Sequence, residues 1–438
     1  MIRFILSDLR RLWAGSLVVV LLVALATALG VSVVLQERAL RLGSARAADK
    51  FDLVIGAGGS ETQLVLSSVF LQPSPLPLMP GEVLGKLAAD PRVDWAAPIG
   101  FGDSFSGYPI VGTTTVLAQN LSGDLGEGKI FAREGEAVIG AAVKLSLGGE
   151  IKPMHGSLEE GGETHTELVY HIAGRLRPTG TAWDRAILVP IQAVWHIHGM
   201  EAEEHLEDGA EAEHDHEAAS GTDSPEHGHE HEKAVADHDG HGHHGKADPD
   251  AALDESWTAG APGLPAILVK PKTIADAYKL RQDYRSGDTV AVFPGEVLTN
   301  LYATLGDAKQ ILVAVASGAQ ALVAASLVLV TVIHIGQRRR QIGALRAFGA
   351  PRGAIFGIVW LEFFFLVATG IALGFALGYA AALILSGMFS QTSGVAMPVG
   401  FALEDAGLAA VLLAFATLLA ALPAVLAYRQ SPAQALRA

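Results

Sequence analysis

Histidines spaced two apart are the side chains of this 438-residue chain with the most evident chemistry. His196/His198, His214/His216, His227/His229/His231 and His241/His243, with His244 adjoining, give repeated H-x-H sets, and twelve of the sixteen histidines fall between His196 and His244. In an extended chain, residues i and i+2 point to the same side, so each pair can offer two imidazoles to one ion. Carboxylates interleaved with them add oxygen ligands. Such a set suits zinc, and the first-row affinity order favours copper or nickel where those are available. The spacing is irregular and singles out no four-ligand set. The competing reading is a solvated acidic loop whose histidines only buffer charge. Either way the segment is expected to be disordered without metal. His155, His165 and His171 lie outside the run and read as ordinary surface or satisfied histidines.

The same stretch holds the chain's acidity. Glu201–Glu255 carries nineteen Asp and Glu against Lys233 and Lys246, a local charge of −17, leaving +2 for the remainder of a chain whose total is −15. No basic field remains to attract nucleic acid. Cysteine is absent, which removes disulfides, thiolate metal sites and redox thiols, and suits an oxidising compartment.

Two glycine loops resemble phosphate cradles and fail on inspection. Gly123–Ile130 has the nucleotide-loop spacing up to Lys129, but Ile130 stands where a magnesium-holding hydroxyl is needed. Gly56–Glu61 follows a strand-like run, but Glu61 occupies the place of a third small residue. No nucleotide is expected on this chain, and no catalytic residue is assigned.

The elements that position these groups are set by hydropathy. Half the residues are apolar and mean hydropathy is +0.34, which fits a membrane part joined to a large water-exposed part. Residues 1–12 have the spacing of a helix on the inner membrane surface. Residues 13–35 run without a charge and are long enough to span about 30 Å of hydrocarbon. Ala45-Arg46-Ala47 has the form of a signal-cleavage site, but the apolar run exceeds the usual signal core of about 7–15 residues, so an uncleaved anchor is expected. Residues 36–308 hold no further spanning run and alternate strand-like stretches (51–55, 137–139, 168–172, 186–189, 266–269) with helix-like ones (80–89, 273–284), an α+β pattern interrupted by the His/acidic insertion at 200–258. Spans follow at 311–335, 354–385 and 406–428, with a loop at 386–405. The predicted fold class is therefore membrane α-helical with four transmembrane helices, plus an α+β domain inserted between the first and second.

The basic residues orient it. Arg3, Arg10 and Arg11, then Arg338, Arg339, Arg340, Arg346 and Arg352 in the 336–353 connection, and Arg429 and Arg437 in the 429–438 tail all fall on one side of such a topology. The positive-inside rule makes that side cytoplasmic and places the large domain outside. Glu362, within the third span, carries a charge that costs about 2.5–3.5 kcal/mol at that depth, so a structural partner is expected. Gly370, Gly374 and Gly378 form a small-residue stripe that permits close helix approach, within one chain or across a dimer.

The run from Arg340 to Ala350 (RQIGALRAFGA), followed by Glu362 and the glycine stripe, resembles the signature of FtsX-like (MacB-type) ABC transporter permeases, and the PAVLAYRQSPAQALRA tail resembles that family's ending. The resemblance implies a bacterial inner-membrane permease that works as a homodimer with a separate cytoplasmic ABC ATPase carrying the ATP. It implies that Arg339, Arg340, Ile342, Leu345, Arg346 and Phe348 dock on that ATPase, and that closure driven by nucleotide is transmitted to a periplasmic domain and to a periplasmic protein or lipoprotein partner. Zinc or another divalent metal on the insertion would add metal handling. The alternatives are a regulator that controls a periplasmic partner without transport, and a metal sensor on a vestigial permease scaffold.

Overall fold

A computed structural model describes residues 13–155, 168–200, 248–257, 260–304, scattered positions from 306 to 328, and 348–429. Among these, three helices are long and apolar enough to cross a membrane: α1 (Trp13–Ala48), α8 (Arg352–Ser393) and α9 (Leu403–Arg429). The described positions between 306 and 328 are helical, but most of the span predicted at 311–335 lies outside the described residues. Transmembrane backbone must satisfy its own hydrogen bonds, and these Leu-, Val- and Ala-rich runs do so as helices.

The helices outlast the hydropathy signal. α1 has 36 residues and α8 has 42, about 54 and 63 Å at 1.5 Å per residue, against a hydrocarbon core of about 30 Å. Charge ends the apolar run at Leu35 but does not break a helix, and Glu37, Arg38 and Arg41 simply continue α1 outside the bilayer. α8 likewise continues through the first part of the predicted 386–405 loop. It stops at Gly394, whose left-handed φ of +75° lets its N–H bond back to Ser390 O.

The extramembrane domain contains two sheets. One is antiparallel throughout, in the order β12 (Thr289–Val292), β1 (Leu53–Ala57), β11 (Ala266–Pro271), β2 (Val93–Ile99). The other runs β5 (Leu125–Gly128), β9 (Tyr170–Leu176), β6 (Glu136–Ile139), β10 (Ile187–Pro190), β4 (Tyr108–Thr113), β3 (Asp103–Phe105), β8 (Met154–His155), with β7 (Glu150–Ile151) on β9. It is mixed, since β10 pairs with β4 in parallel and β6 pairs with β9 in parallel. Helices α2 (Glu61–Ser68), α3 (Glu82–Ala89), α4 (Thr115–Ser122), α5 (Ile191–Ile197), α6 (Ile274–Asp283) and α7 (Pro294–Thr304) pack around the sheets. The central strand β10 is apolar on both faces, as a buried strand requires: all four of its residues are buried. One core, with Val54, Ala97, Leu268, Val111, Leu188 and Trp183, runs through both sheets, and the Phe51 and Trp183 rings meet at 6.0 Å.

In the extramembrane domain, the predicted elements begin and end within a few residues of where the pattern placed them. β1 starts at Leu53 rather than Phe51, and Thr273 caps α6 from outside, its hydroxyl accepting the Asp276 N–H. Both rejected glycine loops are filled by the chain itself. Residues 125–128 are strand, Lys129 Nζ sits 2.7 Å from Glu136 Oε1, and Ser60 caps α2 by accepting the Gln63 N–H.

Candidate functional site

The outer ends of α1 and α8 meet the domain at one junction. Ala47, Ala182 and Val395 are buried together, with Phe70 and Leu71 packed on them. Ala396 N–H donates to Gly180 O at 3.0 Å, and Arg185 Nη1 donates to Gln391 O at 2.6 Å while its guanidinium lies over Tyr108 at 5.0 Å. The Ser44 and Tyr302 hydroxyls are 2.6 Å apart, tying α1 to α7. A methyl on Gly43 would meet Ala396 O at 2.7 Å, so glycine is what allows α1 and this loop to touch.

The receiving loop is held from beneath. Asp184, 7% exposed, accepts from Thr179 N–H at 2.7 Å, Gly180 N–H at 2.8 Å and Thr179 Oγ1 at 2.8 Å. A carboxylate accepting several donors at low exposure makes strong, charge-assisted bonds, so loop 179–181 moves with Asp184. Asp184 lies in a 3-10 turn, Ala182–Arg185, that leads directly into β10 at the middle of the larger sheet. The helices are therefore joined to the sheet through a short, well-bonded segment.

Within the membrane the glycine stripe faces α1 of the same chain. Methyls added at Gly370, Gly374 and Gly378 would meet Val23 Cβ at 2.7 Å, Thr27 Cβ at 2.5 Å and Ala28 O at 2.8 Å. At the outer boundary Arg38 on α1 makes a bidentate pair with Asp405 on α9, Nη1 to Oδ2 at 2.7 Å and Nη2 to Oδ1 at 3.0 Å, with side chains 13% and 8% exposed. Asp405 Oδ2 also accepts the Ala402 N–H at 2.7 Å, so one carboxylate fixes both the start of α9 and its contact with α1. The sequence reading missed this pair, although charges just past two apolar runs were its visible signal.

At the other end, Arg339, Arg340, Ile342, Leu345 and Arg346 lie outside the described residues. Phe348 is 91% exposed, Gly349 takes φ +91°, and Pro351 precedes α8, whose first residue, Arg352, lies over the Tyr428 ring at 5.9 Å. Glu362 is half-buried on α8 and is partnered.

Of the metal candidates, His214, His216, His227, His229, His231, His241, His243 and His244 lie outside the described residues, whereas His196 and His198 stand at the end of α5. His196 Nδ1 is 2.9 Å from Glu134 Oε2, and His198 Nε2 is 3.7 Å from Asp103 Oδ1. Among the described residues, no three His, Asp or Glu side chains are grouped as a ready metal-ligand set.

Residues 313–433 match the family model described as FtsX-like permease C-terminal. That stretch is similar to the C-terminal domain of FtsX-like permeases. No curated protein sequence matches the chain. Among solved structures, the periplasmic region of MacB from Actinobacillus actinomycetemcomitans is 9% identical at a TM-score of 0.32, covering 58% of this chain and 95% of that one. The extracellular domain of the noncanonic ABC-type transporter YknZ from Gram-positive bacteria is 8% identical at a TM-score of 0.27, covering 55% and 98%. The matched stretch takes in the basic connection, Glu362 and the glycine stripe. The junction loop at 179–185, Arg38 and the histidines from His196 to His244 belong to the part of the chain outside it.

Proposed function

We propose that this chain is the permease subunit of an ATP-driven ABC transporter of the mechanotransmission type. In this reading it sits in a bacterial inner membrane as a homodimer, with its large domain in the periplasm, and takes part in zinc or other divalent-metal homeostasis. A separate cytoplasmic ATPase carries the ATP, and the segment with Arg339, Arg340, Ile342, Leu345, Arg346 and Phe348 docks on it. The observation that carries the reading is the uninterrupted path from α8 through Ala396 and Gly180 to Asp184 and β10. A helix pair packed through glycines to atomic contact is stiff enough to pass displacement from one side of the membrane to the other. Metal handling is supported by the H-x-H composition of the insertion.

The test is co-purification and ATPase turnover with the ATPase encoded beside this chain, in lipid. Association is expected, together with turnover that responds to metal or to a periplasmic protein. Failure to associate would remove the proposal. Stimulation only by a protein, with no movement of metal or solute, would favour a regulator over a transporter.

A further inference from the structure

At one end of the smaller sheet the chain arrives from α1 and departs into α7. β1 is antiparallel to both β11 and β12, so the start of β1 lies beside the ends of the other two. Asp52, just past α1, precedes β1, and Pro271 closes β11. Phe293 follows β12 and opens α7, its carbonyl accepting the Glu296 and Val297 N–H groups. Between this end of the sheet and the first turns of α6 lies a groove of about 360 Å³. Small-molecule sites are typically about 300–1,000 Å³, so the groove is large enough to be one. The end of α1 at Ala48 is about 15 Å along the helix from Arg38 at the outer membrane boundary, which opens the groove to water rather than to lipid.

The apolar wall of the groove is held in place from behind. The Tyr278 ring meets the Phe293 ring edge-on, centroids 5.1 Å apart at 74°, and the Arg281 guanidinium lies over Phe293 at 4.7 Å. Arg281 is fixed in turn by two bonds to the Glu296 carboxylate on α7. Ile274 and Tyr278 stand one turn apart on α6 and are 79% and 61% exposed. Exposed apolar side chains are ordinary when scattered, but these two share one concavity with Phe293. The rest of the lining is polar. Lys270 Nζ pairs with Asp52 at 2.5 Å, and Lys272 Nζ donates to Pro91 O at 2.7 Å. An ammonium group carries three donors, and each of these lysines uses one of them here. Two lysines against one aspartate leave the lining one positive charge in excess. The nearby Asp90 and Asp283 are both bonded to Arg92 and do not line the groove.

We propose that this groove is a binding site for a small amphiphilic carboxylate. Ile274, Tyr278 and Phe293 enclose its apolar body, and the free donors of Lys270 and Lys272 take its carboxylate in charge-assisted bonds. An apolar pocket with a few convergent polar groups is the usual make-up of such a site. The ligand would touch Asp52 and Phe293 together, the residues that lead out of α1 and into α7, and so would brace those two elements against each other. The inference goes beyond the proposed function and does not rest on it.

The experiment uses the full chain in phosphatidylcholine nanodiscs, titrated with phenylbutyrate, with its uncharged amide and with phenylbutylamine, and read by saturation-transfer NMR against empty nanodiscs. The carboxylate is expected to bind, the amide more weakly, and the amine least. Ile274→Asp, Tyr278→Ala and Lys272→Gln should each weaken carboxylate binding at least about fivefold, whereas Leu147→Asp, at an exposed apolar position outside the groove, should not. Ile274 and Tyr278 are exposed, so unchanged melting midpoints in their variants separate loss of the site from loss of the fold. Carboxylate binding no greater than that of empty nanodiscs overturns the site. So does equal binding of carboxylate and amine, or an affinity unchanged in all three groove variants. The measurement involves no ATPase, so failure here leaves the proposed function standing, and failure of that reading leaves the site.

Discussion

Replacing Gly374 by Ala inserts one methyl where α8 touches α1. Its carbon would lie 2.5 Å from Thr27 Cβ, 2.8 Å from Ala24 O and 2.9 Å from Thr27 Cγ2. Carbon atoms rest about 3.5–4.0 Å apart, so the helices must separate locally by roughly 1 Å. Thr27 is 4% exposed and one of the near atoms is backbone, so no side-chain rotation relieves the clash. Overpacking of this kind costs about 1–3 kcal/mol. Gly387, on the same helix, has nothing within 4 Å of an added methyl, and there alanine should stabilise by roughly 0.5–1 kcal/mol through helix propensity. The two substitutions should therefore shift the melting midpoint of the detergent-solubilised protein in opposite directions. Trp360, whose Nε1 donates to Thr417 O at 3.2 Å between α8 and α9, is a suitable fluorescence reporter. Equal shifts for both variants would refute the packing argument. A Gly374→Ala effect that appeared only on dilution would assign the stripe to a contact between chains.

Asp405→Ala should destabilise by up to about 3 kcal/mol because it removes the bidentate partner of Arg38, 13% exposed, leaving it only the exposed Glu404 carboxylate at 3.7 Å and Gly400 O at 3.4 Å, whereas Arg38→Met with Asp405→Leu should be milder; a double-mutant cycle on the melting midpoint checks this. Asp184→Asn should leave the chain folded but loosen loop 179–181, lowering activity with the partner ATPase more than it lowers stability. An intact coupled rate would exclude the junction path. Arg346→Glu or Leu345→Asn should uncouple the ATPase while metal binding stays at the wild-type level, measured as turnover against equilibrium dialysis. Asp90 is held below its ordinary carboxylate value by its bonds with Arg92, so its contribution to stability is complete above pH about 3.8 and is lost as pH falls through the lower folded value; Asp90→Asn should flatten that part of the acid unfolding curve.

The sequence makes the ends of the apolar runs legible, but not the ends of the helices. Hydropathy reports where lipid stops, and nothing at Gln36–Arg41 or at Ser386–Ser393 interrupts helical hydrogen bonding. The glycine stripe is visible by its spacing, whereas its partners Val23, Thr27 and Val31 lie on a helix hundreds of positions away and carry no matching signature. Arg38 and Asp405 are 367 positions apart, and such pairing is a property of the folded chain. His196 and His198 stand out by type, but Glu134 and Asp103 are ordinary acidic residues until α5 lies across the sheet. Short local patterns therefore give elements and candidate groups, and packing supplies their partners.

If the chain works as proposed, the uninterrupted length of α8 also determines what kind of signal the domain receives. A straight rod of about 63 Å that tilts by about 5° at its inner end moves its outer end by roughly 5 Å, more than the spacing of neighbouring strands. Because the rod ends beside the turn that feeds β10, and β10 is hydrogen-bonded to β4 on one side and β6 on the other, the displacement enters the sheet at its middle. In the proposed function, a small tilt of α8 about its inner end would thus become a stroke of the sheet as a body, with α8 as the lever.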